Sequence, residues 1–149
     1  LKDAGAQPLL VKLSPDLPRP AIAEALAVVD DLGLDGVIAT NTTTSRPDSL
    51  DNPNRAETGG LSGKPIEGEA TDLIRFIAER TDTPIVGVGG ISDAEGAYEK
   101  IRAGASIVQL YTAFVFEGPA LARDINQGLL ELLDRDGFDS IEEAVGVDL

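Results

Sequence analysis

Residues 84–91 read PIVGVGGI, a short apolar run that ends in glycines. Its length and the proline at its start are typical of a strand that is buried on both faces. Ala97, Tyr98 and Ile101 follow at helical spacing, and Gly104 ends that segment. A buried strand followed by an amphipathic helix is the repeating unit of a parallel sheet.

The same alternation occurs four times along the chain. Strands are predicted at 8–14, 36–40, 84–90 and 106–111, each followed by a helix, at about 20–32, 68–80, 92–103 and 119–136. A complete (β/α)8 barrel takes about 250 residues and eight such units. The pattern therefore predicts an α/β fold of four βα units, half of a TIM barrel, and leaves an open doubly wound sheet as the alternative. Half a barrel has open sheet edges, so we expect this piece not to fold well alone.

Two helix starts carry a capping-box pattern. Ser92 with Glu95 predicts the start of the third helix, and Ser140 with Glu143 predicts a short terminal helix. In a capping box the hydroxyl and the carboxylate accept hydrogen bonds from backbone N–H groups that the first turn leaves unpaired. The pattern therefore predicts where these two helices begin.

The composition is that of one globular domain and excludes several kinds of site. The chain has 149 residues, 42% of them hydrophobic, and contains no cysteine and no histidine. Disulfides, zinc–thiolate sites, thiol nucleophiles and a histidine base are therefore excluded within it. No carboxylate cluster has metal-loop spacing, and no apolar stretch approaches the roughly 18 residues that span a bilayer. The start at Leu1 suggests a piece of a longer chain.

The net charge is −14, from 26 acidic and 12 basic residues. A surface that binds nucleic acid is basic, so this charge argues against such a partner. The acidic residues fall mostly on predicted helices, where the solvation of exposed faces explains them. An acidic surface with little lysine also suits a high-salt cytoplasm, because screening there suppresses self-repulsion.

Polar and glycine residues mark the carboxyl end of every predicted strand. In chain order they are Lys12 and Ser14; Thr40, Asn41 and Thr42; Gly87–Gly90; and Gln109, Tyr111 and Thr112. Ligands of parallel α/β folds gather at this end of the sheet. The coincidence predicts a binding site there. The alternative is that Asn41 and Thr42 bond nearby backbone in a local turn and that Tyr111 and Thr112 are ordinary strand-end residues.

Lys12 lies inside an apolar run. Its neighbours Val11 and Leu13 are predicted to face the helices, so Lys12 points toward the barrel interior. A buried ammonium group needs an anionic or strongly polar partner. Two hypotheses suit this position: a structural ion pair across the barrel, or a cation held against a ligand that becomes negative.

Two glycine-rich segments also have two interpretations each. Gly87–Gly90 forms either a tight turn or, with the positive end of the helix that begins at Ser92, a phosphate cradle. Residues 59–65, GGLSGKP, are either a flexible loop or a segment whose glycines allow close contact with a ligand. They belong to a long polar loop, 43–66, which is a candidate binding loop or lid.

Six segments, in order across nearly the whole chain, resemble the C-terminal half of dihydroorotate dehydrogenase, an FMN enzyme on a (β/α)8 barrel. They are VKLSPDL (11–17), DGVIATNTT (35–43), ETGGLSGKPI (57–66), PIVGVGGI (84–91), AGASIVQLYTAF (103–114) and GFDSIEEAVG (137–146). GVGG alone is shared with other barrels, but ATNTT, GGLSGKP and GASIVQLYT together are highly specific. GGLSGKP and the last segment resemble the membrane-associated, quinone-dependent class. The resemblance implies that residues 1–149 are the C-terminal half of an FMN-binding barrel.

The resemblance implies an FMN site in this chain. Lys12 would contact the flavin ring and offset the charge of its reduced form, and Thr40 would also touch the flavin. The other implied contacts are the backbone of Gly63 and Gly90, and Tyr111 and Thr112 at the FMN phosphate.

The resemblance also implies a substrate site and a reaction. Asn41 and Thr42 would hydrogen-bond dihydroorotate or orotate. In the family a base removes the C5 proton of dihydroorotate, hydride passes from C6 to flavin N5, and the reduced flavin then reduces a quinone. The base of the quinone-linked class is a serine in the first half of the barrel. No catalytic residue is therefore expected in this chain, and Ser14, Ser45 and Ser62 are not candidates for it.

The implied role is in pyrimidine synthesis, with dihydroorotate, orotate and a quinone as partners. The implied location is the cytoplasmic side of the cell membrane, with peripheral membrane contact through an N-terminal region outside this chain. Two alternatives stay open. One is another FMN-binding or phosphate-binding barrel, in which Asn41 has no orotate to bind. The other is a catalytically inert half-barrel.

Overall fold

The structure, a computed structural model, describes residues 7–149. Its sheet has four parallel strands in the order in which they occur along the chain. They are β1 (Leu10–Leu13), β2 (Gly36–Ala39), β3 (Ile85–Val88) and β4 (Ile107–Gln109). A doubly wound sheet reverses its strand order at a switch point, and this sheet does not. The architecture is therefore that of four βα units of a (β/α)8 barrel, as the sequence predicts.

Helices follow each strand. They are α1 (Arg19–Asp31), α2 (Glu67–Ala78), α3 (Ala94–Arg102), α4 (Thr112–Glu117), α5 (Ala120–Asp136) and α6 (Ile141–Ala144). Short 3-10 turns occupy Pro53–Ala56 and Lys64–Ile66. The sequence did not predict α4, because six residues, none of which is buried, give no periodic signal. None of the helices within residues 7–149 is long and apolar enough to cross a membrane.

The apolar positions predicted from helical spacing form the core. One buried cluster joins α1 and α2 to the sheet, and a second lies between α3 and α5. The buried helix positions include Ile22, Leu26, Val29, Leu73, Ile74, Ile77, Leu121, Ile125, Leu129 and Leu132. The helices thus cover one face of the sheet.

The opposite face of the sheet is not covered by residues 7–149. Lys12, Ile38, Val86 and Ile107 are in register across the four strands, one residue from each. Lys12 is exposed, and Ile107 is 62% exposed although it is apolar. A row of inward-pointing residues from successive strands is what the interior of a closed barrel contains.

The capping boxes differ from the prediction. Asp93, not Ser92, is the N-cap of α3, and its carboxylate accepts a hydrogen bond from the backbone N–H of Gly96. Ser140 is the N-cap of α6 as expected, but its side chain makes no capping hydrogen bond. A carboxylate accepts this backbone hydrogen bond more strongly than a hydroxyl does, so Asp93 takes the position beside Ser92.

The long loop at 43–66 is organised rather than structureless. Thr43 and Leu61 form an isolated antiparallel bridge that closes it. The guanidinium group of Arg46 lies inside the loop and donates hydrogen bonds to backbone carbonyls on both arms. The acceptors are the oxygens of Thr43, Thr44, Ser45, Arg55, Glu57 and Gly59, at 2.8 to 3.5 Å. The side chain of Arg46 therefore holds the two arms of this loop together, where no helix or sheet connects them.

Candidate functional site

A pocket of about 320 Å³ opens at the carboxyl ends of the four strands. All eight residues that the sequence singles out for a cofactor or a substrate line it: Lys12, Thr40, Asn41, Thr42, Gly63, Gly90, Tyr111 and Thr112. They come from four strand ends and from the long loop, so only the folded chain brings them together. The pocket wall is completed by apolar side chains, Ile66, Ile91 and Leu110 among them.

Lys12 projects from β1 on the uncovered face of the sheet. The prediction that it is buried is wrong for the described part of the chain, because nothing in residues 7–149 covers that face. Its ammonium group has no hydrogen-bond or ion-pair partner among these residues. Residues 7–149 therefore provide no structural ion pair for Lys12, and the cation lines the pocket.

Thr40 is fixed at the end of β2. Its side chain is buried, and its hydroxyl donates to the carbonyl of Asn41 at 2.8 Å. Its backbone N–H donates to the carbonyl of Val88 at 2.8 Å, which extends the β2–β3 pairing by one residue. The peptide bond between Ala39 and Thr40 is cis.

Asn41 and Thr42 lie on a segment that is held at both ends. The backbone N–H of Asn41 donates to the carbonyl of Leu13, and Thr43 exchanges two backbone hydrogen bonds with Leu61. The side chains of Asn41 and Thr42 are exposed and make no hydrogen bond to other described residues. They do not close a local turn, so their polar groups remain available in the pocket.

Asp16 holds this segment in place, and sequence reasoning missed it. One carboxylate oxygen accepts from the hydroxyl of Thr43, and the other accepts from the N–H and the hydroxyl of Thr44, at 2.8 and 2.6 Å. The Thr43 hydroxyl first, and then the two Thr44 donors, lower the pKa of Asp16 below its usual value. A usable signal existed, since Asp16 follows β1 in the loop whose strand end already carries Lys12.

Gly63 and Gly90 have positive φ angles of 80° and 78°. A Cβ on Gly90 would lie 2.4 Å from the Cβ of Glu67, and one on Gly63 would lie 3.0 Å from the side chain of Thr112. Both positions therefore require glycine for packing as well as for backbone conformation. The tight turn and the ligand cradle are not exclusive here, because both glycines also line the pocket.

The start of α3 is not the free anion site that the sequence predicts. The carboxylate of Asp93 already accepts the N–H of Gly96, and the ammonium group of Lys64 lies 3.7 Å from that carboxylate. The N–H of Gly96 first, with Lys64 as a weaker contributor, lowers the pKa of Asp93. A second anion would meet a negative charge at this helix end.

Tyr111 and Thr112 mark the end of β4 and the start of α4. Tyr111 is 77% exposed. The hydroxyl of Thr112 donates to the hydroxyl oxygen of Ser62 at 2.9 Å. This hydrogen bond fixes the glycine-rich loop against the end of the last strand, at the side of the pocket where Gly63 lies.

The described part of the chain contains no group of three or more acidic residues that could hold a metal ion. Among the described residues that line the pocket, Lys12 brings a cation and the others bring neutral hydrogen-bonding groups, apolar side chains and backbone. The family model for dihydroorotate dehydrogenase matches residues 1–133. The chain belongs to the dihydroorotate dehydrogenase family.

Relatives named dihydroorotate dehydrogenase (quinone) match over the whole chain. The one from Haloarcula marismortui is 69% identical over 149 residues, which are 100% of this chain and 43% of that protein. The one from Natronomonas pharaonis is 70% identical over the same shares. The mitochondrial one from Arabidopsis thaliana is 51% identical over 98% of this chain and 32% of that protein. The chain thus spans less than half the length of these relatives, and the predicted resemblance to the quinone-dependent class is confirmed.

Solved dihydroorotate dehydrogenases share the fold. The enzyme of Eimeria tenella in complex with ferulenol superposes with a TM-score of 0.92 at 39% identity, over 98% of this chain and 40% of that chain. The ligand-free form of the same enzyme gives a TM-score of 0.91 over 94% of this chain and 39% of that one. The four βα units are therefore part of a longer family fold.

Lys100 is a second residue that sequence reasoning missed. It lies on α3 and is completely buried. Its ammonium group donates to the hydroxyl of Thr71 at 2.9 Å and to the carbonyl of Glu67 at 3.2 Å. Burial lowers the pKa of Lys100 to about 8. The segment EKIR around it has the charged residues of a solvated helix face. The sequence near Lys100 therefore does not indicate that this side chain is buried against Thr71.

Proposed function

We propose that the full-length protein oxidises (S)-dihydroorotate to orotate with FMN as cofactor and a quinone as electron acceptor, in de novo pyrimidine (UMP) biosynthesis. In this proposal residues 1–149 form the C-terminal half of the barrel and supply much of the FMN site and part of the orotate site. The observation that carries the proposal is the convergence of the eight singled-out residues on one pocket at the carboxyl ends of the strands. Membership of the dihydroorotate dehydrogenase family supports it.

The residues present suit FMN. Gly63 and Gly90 bring backbone to the pocket surface where no side chain fits, which is how a phosphate or a flavin edge is approached closely. Thr112 adds a hydroxyl, and Lys12 adds a cation that has no partner among residues 7–149. The residues that would hold FMN are Lys12, Thr40, Gly63, Gly90, Tyr111 and Thr112.

Bound FMN would supply the two-electron acceptor for the reaction. Lys12 would place its positive charge where negative charge develops during hydride transfer, and no carboxylate of the described residues pairs with it. Because its stem rises from the middle of β1, the ammonium group is held by the sheet rather than by a mobile loop. Lys12 is thus the residue by which this chain would raise the rate of hydride transfer electrostatically.

Asn41 and Thr42 would recognise the substrate. The amide of Asn41 offers both a donor and an acceptor, and the hydroxyl of Thr42 offers either, which matches the alternating N–H and C=O groups of a dihydropyrimidine ring. Their segment is held by Leu13, Leu61 and Asp16, so little order has to be gained when the substrate binds.

The base that takes the C5 proton would lie outside residues 1–149. Ser14 and Ser62 are already engaged, since the Ser14 hydroxyl accepts from the N–H of Asp16 and the Ser62 hydroxyl accepts from Thr112. This half would therefore bind, orient and stabilise charge without removing the proton. Peripheral contact with the cytoplasmic face of the membrane, through a region outside this chain, belongs to the same proposal.

The full-length protein, purified with its cofactor, tests the proposal. We expect a flavin spectrum, bleaching of the flavin by dihydroorotate, and recovery on addition of a quinone. Orotate is expected to shift the flavin spectrum on titration, and Asn41→Ala is expected to weaken that shift. A protein that binds FMN but ignores both orotate and dihydroorotate would be another barrel enzyme, and one that binds no flavin would refute the proposal altogether.

A further inference from the structure

Lys100 carries a charge in the interior with no ion pair to explain it. Its side chain has no exposed surface, and its ammonium group is held by two neutral oxygens, from Thr71 and from the backbone of Glu67. It forms no ion pair with any carboxylate of residues 7–149. Burying an ammonium group is costly, and neutral hydrogen bonds return only part of that cost. A purely structural position would be served as well by an apolar side chain.

The side chain of Lys100 links the glycine turn to the first turn of α2. Its Cβ lies 3.5 Å from where a Cβ of Gly87 would be, at the end of β3. From there the stem reaches Glu67, the first residue of α2, and Thr71 one turn later. The hydroxyl of Thr71 also donates to the carbonyl of Glu67 at 3.0 Å. Hydrogen bonds thus join the ammonium group of Lys100, the hydroxyl of Thr71 and the carbonyl of Glu67 at the first turn of α2.

Gly90 contacts the same turn from the pocket side. A Cβ on Gly90 would lie 2.8 Å from the backbone nitrogen of Glu67 and 2.5 Å from its Cα. Gly90 and Ile66 both line the pocket. The first turn of α2 is therefore held between the buried ammonium group behind it and the ligand-facing backbone in front of it.

The other charges near Lys100 are few. The carboxylate of Glu67 lies 2.8 Å from the ammonium group of Lys64, which also approaches Asp93. Glu99 precedes Lys100 on α3 and is exposed. Glu67 and Glu99 favour the charged form of Lys100, and Lys64 opposes it. Lys100 is the one cation of this group that is shielded from water, so its field is least screened.

We propose that Lys100 is a positioning residue for the anionic end of the cofactor pocket: it fixes the first turn of α2 behind Gly90 and places a buried positive charge there that favours a ligand phosphate. The inference rests on the proposed function, because it takes the ligand to be FMN. It assigns no contact between Lys100 and the cofactor. The effect acts through the backbone of Glu67 and Gly90 and through the electrostatic potential.

The proposal has a pH signature. Burial lowers the pKa of Lys100 to about 8, so the charge is present at pH 7 and is lost above that value. A bound phosphate favours the charged form and raises the pKa of Lys100, so its affinity is full below pH 8 and falls as the pH rises through the unliganded pKa. The phosphate group itself stays dianionic in this range, since its second pKa is about 6.

FMN and riboflavin, which lacks the phosphate, separate this role from a general structural one. In the full-length apoprotein we expect Lys100→Met to weaken FMN binding on the order of tenfold and to leave riboflavin binding unchanged. Arg123→Met removes the same charge from the exposed surface of α5 and is the matched control, with no expected effect on either ligand. Equal loss for both ligands, or loss for neither, overturns the proposal.

A measurement on the unmodified protein guards against a variant that does not fold. The ratio of FMN affinity to riboflavin affinity is expected to fall between pH 7 and pH 9, and titration of the flavin ring, which both ligands share, cancels in this ratio. A constant ratio overturns the role of Lys100 while the proposed function stands. Failure of the unmodified protein to bind FMN at any pH overturns both.

Discussion

Lys12 and Lys100 show how far surroundings decide what one side chain does. Lys12 is exposed on the open face of the sheet and has no partner among residues 7–149, while Lys100 is completely buried against Thr71 and Glu67. A cation at the pocket surface can meet developing charge directly, whereas a buried cation acts through the groups that it holds. We therefore expect the two lysines to have separable effects, Lys12 on the rate of flavin reduction and Lys100 on the affinity for the cofactor.

Replacement of Lys12 is expected to slow flavin reduction. In the full-length protein, Lys12→Ala removes the only cation among the described residues that line the pocket, and we expect the rate of flavin bleaching by dihydroorotate to fall by about 10²-fold. Rapid-mixing absorbance of the anaerobic protein measures it. Arg19→Ala, on the outer side of α1, is the control and should bleach at the normal rate. Normal bleaching in Lys12→Ala would show that the role assigned to Lys12 is wrong.

Lys100 is expected to make the free energy of unfolding depend on pH. Its pKa falls from 10.5 in the unfolded chain to about 8 in the folded one, so between these values the unfolded state binds the additional proton. Stability should therefore rise with pH across this window, relative to the Lys100→Met variant, in which this titration is absent. Denaturant unfolding of both proteins from pH 7.5 to pH 10 measures the difference. Parallel curves would mean that the ammonium group is not buried.

At the scale of elements, the site depends on contacts between loops that are distant in the chain. Asp16, after β1, holds the segment after β2, and Thr112, after β4, holds the loop before α2. Arg46 fastens the two arms of the long loop by bonding to their carbonyls. The segment after β2 and the glycine-rich loop are thus each held by a residue from another strand end.

Asp16→Asn is expected to affect substrate binding more than cofactor binding. The amide has one acceptor oxygen in place of two, so part of the hold on Thr43 and Thr44 is lost and Asn41 is less well ordered. We expect KM for dihydroorotate to rise about fivefold with FMN content unchanged. Steady-state kinetics and the flavin absorbance ratio measure the two effects. Asp48→Asn, on the exposed part of the long loop, is the matched control.

The pKa of Asp16 also predicts the pH at which its contribution to the stability of the folded protein is lost. Hydrogen bonds from Thr43 and Thr44 lower the folded-state pKa of Asp16 below 3.8, so its stabilising contribution is present above that value and is lost only as the pH falls through the lowered pKa. An unchanged KM in Asp16→Asn would show that the substrate segment holds its place without this anchor.

Gly90→Ala is expected to damage both stability and cofactor binding. The new methyl group would lie 2.4 Å from the Cβ of Glu67, at a φ of 78° that L residues rarely adopt. We expect a loss of about 2–3 kcal/mol in the free energy of unfolding and a weakened FMN affinity. Gly68→Ala is the matched control: it lies in α2 with nothing near its Cβ position, and it should stabilise the protein by about 0.5–1 kcal/mol. Thermal melts and flavin titrations of both variants test this prediction. A Gly90→Ala variant with unchanged stability would contradict the close packing of Gly90 against Glu67.

At the scale of the whole molecule, the open face of the sheet is the dominant feature. Ile107 and the aromatic residues Tyr111, Phe114 and Phe116 are exposed, and β1 and β4 are both edge strands. An apolar face between two unpaired edges is a template for association. The helix side, in contrast, is well packed, with two continuous apolar clusters. The described residues therefore form a packed core on the helix side of the sheet and leave its other face open.

The isolated 149-residue piece is expected to associate and not to bind FMN. Size-exclusion chromatography should show aggregates, and flavin titration should show no saturable binding, because the pocket lacks the wall that the uncovered face would meet. Full-length protein run in parallel is the reference and should bind flavin. A monodisperse, flavin-binding fragment would show that the half-barrel is complete enough to work alone.

Much of the fold and the site was predictable because the signals are local in the sequence. Strand and helix positions follow from the spacing of apolar residues, and residues at the carboxyl ends of parallel strands must share one edge. That geometry is why Lys12, Asn41, Gly90 and Thr112 were predicted together. The burial of Lys12 was predicted wrongly, because burial depends on what covers the other face of the sheet.

The remaining contacts join residues that are far apart in the chain. Lys100 and Thr71 are 29 residues apart, and Asp16 and Thr43 are 27 apart, at no helical or strand period. Asp93 displaced Ser92 as the helix cap, where its carboxylate accepts the backbone N–H of Gly96. Such pairs are decided by packing, which places two side chains within reach only after the helices have docked.

The sequence by itself determined the βα alternation, the buried helix faces, the family and the eight residues of the pocket. The alternation and the buried helix faces follow from periodicity, whereas the family and the eight residues follow from the resemblance of six segments in the chain. Only the tertiary structure decided the sequential strand order, the anchor at Asp16, the buried Lys100 behind Gly90 and the uncovered face that carries Lys12. These depend on which surfaces meet, and contacts across the fold have no signature in local spacing.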